Sequence, residues 1–142
     1  MHCAHKVARR VLLVDDDLDT LEVTAELLRL CGHEVVAARS GDHALAVATH
    51  YRPDVALLDL AMPGMDGYVL ADKLKAALSF APPRVIALSG YADAASLERA
   101  HRAGFDRHLA KPVMSESLLE AIEDDGARRA LVPAPRGQAA LR

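Results

Sequence analysis

Only two cysteines occur in the 142 residues, Cys3 and Cys31. One lies near the N-terminus and the other just before Gly32, so no disulfide framework is expected and a reducing cytosol is the default setting. No apolar run approaches the ~20 residues of a membrane-spanning helix. The first ten residues are polar and basic without an apolar centre, which excludes a secretory signal. Basic charge is not in excess either. Lys and Arg number 17 against 20 Asp and Glu, a formal net charge of -3, which argues against nucleic-acid binding. There is no internal repeat. The length suits one domain with a real core and leaves no room for an output domain.

What is present is a globular composition, 51% hydrophobic and 26% charged. Val11-Leu12-Leu13-Val14 is a compact apolar run ending on Asp15-Asp16-Asp17 and reads as a first strand. Leu18, Leu21, Ala25 and Leu28 follow at helical spacing, and Gly32 stands where that helix stops. Val35 to Ala38 is a second strand, and Ser40 can cap the next helix. Val55-Ala56-Leu57-Leu58 is bounded by Pro53-Asp54 and by later turn residues, so it reads as a buried central strand ending on Asp59. Asp66 can cap a third helix carrying Leu70 and Leu74. Val85 to Leu88 is a fourth strand that delivers Ser89-Gly90. Asp93 caps a fourth helix running to about Ala103, and Gly104 stops it. Phe105 to Ala110 is a shorter fifth strand leading into Lys111-Pro112, and Ser115 caps a fifth helix.

Five strands alternating with five helices imply βαβ crossovers and a parallel sheet covered on both faces. The size matches a flavodoxin-like (βα)5 architecture with strand order 2-1-3-4-5, whose switch point lies beside strands 1 and 3. The ends of those strands carry Asp15, Asp16 and Asp59; strands 4 and 5 bring Ser89 and Lys111. Three carboxylates in one crevice repel each other, and at least one should titrate high unless the repulsion is offset. A hard divalent cation such as Mg²⁺ offsets it and favours sites that also present phosphate. Lys111 supplies a mobile point charge for a phosphoryl oxygen, and Ser89 a hydroxyl donor. Together they are the parts needed to accept a phosphoryl group.

With those residues in place, the chain resembles a receiver domain of two-component response regulators. The motifs are Val-Asp-Asp at 14–16, Leu-Asp-Leu-Ala-Met-Pro-Gly-Met-Asp-Gly at 58–67, Ala-Leu-Ser-Gly at 87–90 and Ala-Lys-Pro at 110–112. The resemblance runs from about Val11 to Ile122. It implies Asp59 as phosphoacceptor, and Asp15, Asp16, Asp59 and the Ala61 carbonyl as Mg²⁺ ligands. It makes Ser89 and Lys111 the supporting catalytic groups and the Lys111-Pro112 bond cis. The implied donor is a sensor histidine kinase or a histidine phosphotransfer protein. The implied output is a protein partner at the face of helix 4, strand 5 and helix 5, with neither nucleic acid nor membrane involved. By the same resemblance Ser89 is one half of a switch. Its usual partner, a Tyr or Phe three residues before the lysine, is His108 here. A histidine titrates near neutrality, so weaker or pH-sensitive coupling is expected.

The division expected is a lead-in at 1–10, the receiver at 11–124 and a flexible Pro- and Arg-containing tail at 125–142. The protein would be a cytoplasmic single-domain regulator and no enzyme beyond its own aspartyl phosphorylation and dephosphorylation. One alternative is a receiver taken from a hybrid histidine kinase. A more distant one is a phosphatase of the haloacid dehalogenase type, in which Asp15-Asp16-Asp17 would supply the nucleophile motif; that reading leaves Asp59 and the 62–67 run without a role. Lesser features have plain readings. Asp17 is a helix cap or first-turn acid. His2, Cys3 and His5 are weak as a metal cluster. Cys31 is a buried helix residue. Asp124-Asp125 end the last helix. Tyr91 and Ala61 flank the site.

Overall fold

A computed structural model describes residues 8–90 and 93–124. The expectations for His2, Cys3, His5, Tyr91, Asp125 and the 125–142 segment lie outside the described residues. The strands are β1 (Arg10–Val14), β2 (Glu34–Ala38), β3 (Val55–Asp59), β4 (Arg84–Ser89) and β5 (Arg107–Ala110). They alternate with helices α1 (Leu18–Leu30), α2 (Gly41–Tyr51), α3 (Gly67–Ala77), α4 (Ala94–Arg102) and α5 (Ser115–Glu123). All pairings are parallel and the order is β2-β1-β3-β4-β5, the expected one. The apolar runs fit this order. Every residue of β3, the middle strand, is buried. Its side chains alternate between two cores. Ala56 and Leu58 join Leu12, Val14, Val85, Leu70 and Leu74 beneath α2, α3 and α4. Val55 and Leu57 join Val11, Leu13, Ile86, Leu28 and Ile122 beneath α1 and α5.

Three of the expected caps are made. Ser40 Oγ accepts from the His43 amide at 3.1 Å, Asp66 Oδ1 from the Val69 amide at 3.0 Å, and Asp93 Oδ1 from the Ser96 amide at 2.8 Å. Ser115 does not cap α5; it is the first helical residue, behind Met114, which offers no side-chain bond. Removing the cap nearest the site has a defined cost. Asp66→Ala should destabilise the protein by about 1 kcal/mol. A urea titration will show this as a lower midpoint at unchanged slope.

Strand β5 begins at Arg107 rather than Phe105. The two preceding residues are used otherwise. Phe105 drops into the core edge-on to Tyr68, with ring centroids 5.8 Å apart. Asp106 turns its side chain onto the Val85 amide at 2.9 Å. Cys31 is buried at the end of α1, as expected, but it is disulfide-bonded rather than a free thiol. Pairing depends on distance through space, which linear spacing does not report.

At the N-terminal end of the sheet a polar clamp joins the beginning and end of the domain. The Arg9 amide donates to His33 Nδ1 at 3.0 Å. His33 Nε2 lies 3.3 Å from Glu123 Oε2, and the Arg9 guanidinium donates to the Glu123 carbonyl at 3.2 Å. Because Nδ1 accepts, the proton sits on Nε2 and points at the carboxylate. The His33 side chain is wholly buried, and this pairing satisfies both of its nitrogens.

Candidate functional site

Four of the five strands end at the same crevice. Asp15 follows β1 and is pinned by its amide, which donates to the Ala38 carbonyl of the neighbouring strand at 3.2 Å. Asp59 is the last residue of β3, and the next amide, that of Leu60, donates to the Leu88 carbonyl at 2.9 Å. Ser89 ends β4. The Lys111 amide donates to the Ser89 carbonyl at 2.8 Å, and the bond from Lys111 to Pro112 is cis. The crevice therefore arises where parallel strands stop and the chain must turn into helices.

The side chains converge. Lys111 Nζ lies 3.0 Å from Asp15 Oδ2 and 3.3 Å from Asp59 Oδ2. Asp15 Oδ1 accepts from the Asp17 amide at 3.0 Å, and Asp59 Oδ1 from the Ala61 amide at 3.2 Å. Oxygens of Asp15, Asp16 and Asp59 lie within 4.8 Å of one another. Asp15, Asp59 and Ser89 are buried, while Asp16 is half-exposed. Burial raises the Asp59 carboxyl to about 6; the Ala61 amide opposes that rise, the Asp15 charge adds to it and Lys111 opposes it. For Lys111 burial works against the charged form. The hydrogen bond and charge of Asp15, and then those of Asp59, outweigh it and raise the ammonium above its ordinary value.

Three carboxylates against one ammonium leave two negative charges in a buried pocket. That donor set, all oxygen and open on the Asp16 side, fits Mg²⁺. The Ala61 carbonyl is on the same loop. Asp17 stays out of the cluster, as expected. It is exposed at the start of α1, where Thr20 Oγ1 donates to it at 2.6 Å and lowers its titration. Of the acids that the phosphatase alternative would draw on, Asp15 is fully buried and bonded to Lys111, and Asp124 sits at the other end of the sheet, paired with Arg84 at 3.8 Å and Arg107 at 3.6 Å.

Two contributions were not foreseen. Arg39, directly after β2, donates to the Asp16 carbonyl at 3.4 Å and braces the acidic loop; its position at a strand end beside β1 was the available signal. Gly67 lies so close to β3 that a β-carbon there would sit 2.6 Å from the Asp59 carbonyl oxygen and 2.9 Å from Leu60 Cα. His108 is half-buried on β5, level with Ala87 of β4. Its Nε2 is buried without a hydrogen-bond partner among the described residues, and burial lowers its proton affinity.

The comparisons with known proteins agree on one family. A family model described as "Response regulator receiver domain" matches residues 11–123. The virulence sensor protein BvgS of Bordetella bronchiseptica is 38% identical over 141 residues, which are 95% of this chain and 11% of the sensor. The transcriptional regulatory protein PrrA of Mycobacterium tuberculosis is 39% identical over 116 residues, 80% of this chain and 48% of the regulator. The chain thus spans about a tenth of the one relative and about half of the other. Among solved structures, a receiver domain protein from Clostridium thermocellum superposes with a TM-score of 0.76 at 29% identity, covering 88% of this chain and 98% of that one. The chemotaxis protein CheY4 of Vibrio cholerae gives 0.73 at 27% identity, covering 81% and 96%.

Proposed function

The chain belongs to the response regulator receiver domain family, and on that footing we propose that it accepts a phosphoryl group on Asp59 and acts by changing its protein contacts. The observation that carries this reading is the convergence of Asp15, Asp16 and Asp59 at one strand-end crevice, with Lys111 held by Asp15 and Asp59. An Asp59 oxygen attacks the phosphorus of a phosphohistidine on a sensor kinase or phosphotransfer protein. The phosphorus–nitrogen bond breaks, and the imidazole leaves with the electron pair. Mg²⁺ held by Asp15, Asp16, Asp59 and the Ala61 carbonyl would supply charge neutralisation for the phosphoryl oxygens. Lys111, released from Asp59, pairs with one of those oxygens. Asp15 keeps Lys111 aimed, since it holds the ammonium from a wholly buried position.

Ser89 and His108 are the residues we assign to transmission. Ser89 turns its hydroxyl to the phosphoryl group, and His108 reads that movement from the next strand. The affected surface is α4, β5 and α5, and its occupant is a downstream protein. No other substrate is turned over; the only chemistry is formation and hydrolysis of the acyl phosphate. Such a relay works in the cytoplasm. Among the described residues no helix is long and apolar enough to cross a membrane. Both settings fit this role, a single-domain regulator and one receiver of a longer sensor.

The experiment is labelling with a small phosphodonor and Mg²⁺, followed by mapping of the acyl phosphate. Label on Asp59, absent from Asp59→Asn and strongly reduced in Lys111→Ala, is the expected result. Turnover of a phosphomonoester that survives Asp59→Asn but not Asp15→Asn would replace it with the phosphatase reading.

A further inference from the structure

Residue 108 has a placement that costs an apolar phenyl ring nothing and an imidazole its hydrogen bond. On the sheet face beneath α4, His108 is level with Ala87, and Ser89 is level with Ala110. Only methyl side chains therefore stand level with the imidazole and the hydroxyl across the two strands. The imidazole is turned inward and its Nε2 is buried, yet no hydrogen bond reaches that nitrogen from the described residues. A neutral ring tolerates this at modest cost. An imidazolium does not, because a charge turned inward without a partner is disfavoured.

Among the described residues, none is free to partner that charge. From β4 come Ala87 and Ser89. On α4 the charged residues are Glu98, Arg99, His101 and Arg102. Glu98 and Arg102 pair with each other at 3.2 Å, Arg99 lies over the Tyr68 ring at 4.0 Å, and His101 is exposed. On α3, Lys75 donates to the Gly104 carbonyl. On β5 itself, Arg107 pairs with Glu120 and Asp124, and Lys111 with Asp15 and Asp59. The one carboxylate of α4, Glu98, is already taken, Asp106 just before β5 is bonded to the Val85 amide at 2.9 Å, and Arg99, Arg102 and Lys75 are cations. They disfavour a second positive charge.

We infer that His108 is a proton gate on the output face: the neutral imidazole lies inward behind Ser89 and transmits phosphorylation, whereas the charged imidazolium turns to solvent and disconnects β5 and α4 from Asp59. This rests on Asp59 being the phosphoacceptor. The sign follows from burial. Burial holds the inward ring's proton affinity below the ordinary value, so the inward form is favoured at neutral pH and is lost as pH falls. Phosphorylation draws Ser89 toward Asp59 and opens space behind it, favouring the inward ring further. By reciprocity the phosphorylated protein must bind the proton more weakly, and acid must weaken the signal.

The test is a histidine-ring NMR titration of the full chain with Mg²⁺, with and without beryllofluoride as phosphoryl mimic. His108→Tyr assigns the signal. Expected are a His108 midpoint below ~6.5 in the free protein and a further drop with the mimic, roughly threefold in proton affinity. Amide signals of α4 and β5 should follow the same midpoint in the wild type and stay flat in His108→Tyr. A midpoint identical in the two forms, or amide signals that ignore it, overturns the gate while leaving the phosphoacceptor in place. Beryllofluoride that leaves the Asp59 region unmoved overturns both.

Discussion

Gly67→Ala will cost this protein about 2–3 kcal/mol and weaken its Mg²⁺ binding at least ~10-fold. The reason is contact with main chain on one side. A β-carbon at 67 would meet the Asp59 carbonyl oxygen at 2.6 Å and Leu60 Cα at 2.9 Å. Neither atom can rotate away as a side-chain tip would. Leu60 is also tied, since its carbonyl accepts from the Gly67 amide and its amide donates to Leu88. The methyl group must therefore push the end of β3 away from α3, and Asp59 and Ala61 move with it. Gly64 is the control. It needs a φ of +77, but a β-carbon there has nothing within 4 Å. Gly64→Ala should cost only the backbone term, about 1–2 kcal/mol. It should also leave metal affinity nearer wild type. Urea melts and Mg²⁺ calorimetry on the two variants separate these outcomes; equal losses of metal affinity would show that the close approach is not what positions Asp59.

Asp59→Asn will make the metal-free protein more stable at neutral pH, the reverse of the usual effect of changing a buried residue. The Asp59 carboxyl is raised to about 6 from 3.8. Below about pH 4 the acid is protonated in both folded and unfolded chains, and it contributes no difference. Between these values the folded chain binds a proton that the unfolded chain does not, so stability falls as pH rises. Above about pH 6 the full penalty is present, on the order of 1–3 kcal/mol. Asparagine removes it. With chelator present, thermal melts at pH 7.5 should show the variant higher by roughly 3–5 °C per kcal/mol gained, with the gain vanishing near pH 4. Saturating Mg²⁺ should erase the difference by stabilising the wild type, which alone keeps the full carboxylate set. A variant less stable than the wild type at every pH would mean that the Lys111 contact outweighs the burial of Asp59.

Much of this was legible in the amino-acid order because the signals were local. Four-residue apolar runs ending on acids mark parallel strands that open a polar crevice. Ser40, Asp66 and Asp93 are one-residue caps with a single geometric role. The site residues were legible because each lies within two residues of a strand end. What escaped reading depends on contact through space. The bonding of Cys31, the grip of Arg39 on the Asp16 carbonyl and the approach of Gly67 to β3 follow from how elements meet. Ser115 was misplaced because Met114, without a capping group, holds the position a serine would favour. The start of β5 was set two residues early because the Phe105 ring enters the core and its amide closes α4 on the Ala100 carbonyl, so regular pairing begins only at Arg107. For His108, sequence could give the position and not the rotamer; the structure turns the ring inward.

The clamp of Arg9, His33 and Glu123 has a consequence for modularity. It places the point where the chain comes in next to the point where it leaves, on the side of the sheet remote from Asp59. A unit built this way can be spliced into a longer polypeptide as a loop is, with little rearrangement of the host. The same geometry would let the ends be fused and the chain reopened at an exposed turn such as Phe80-Ala81-Pro82, giving a circular permutant with its acidic crevice intact.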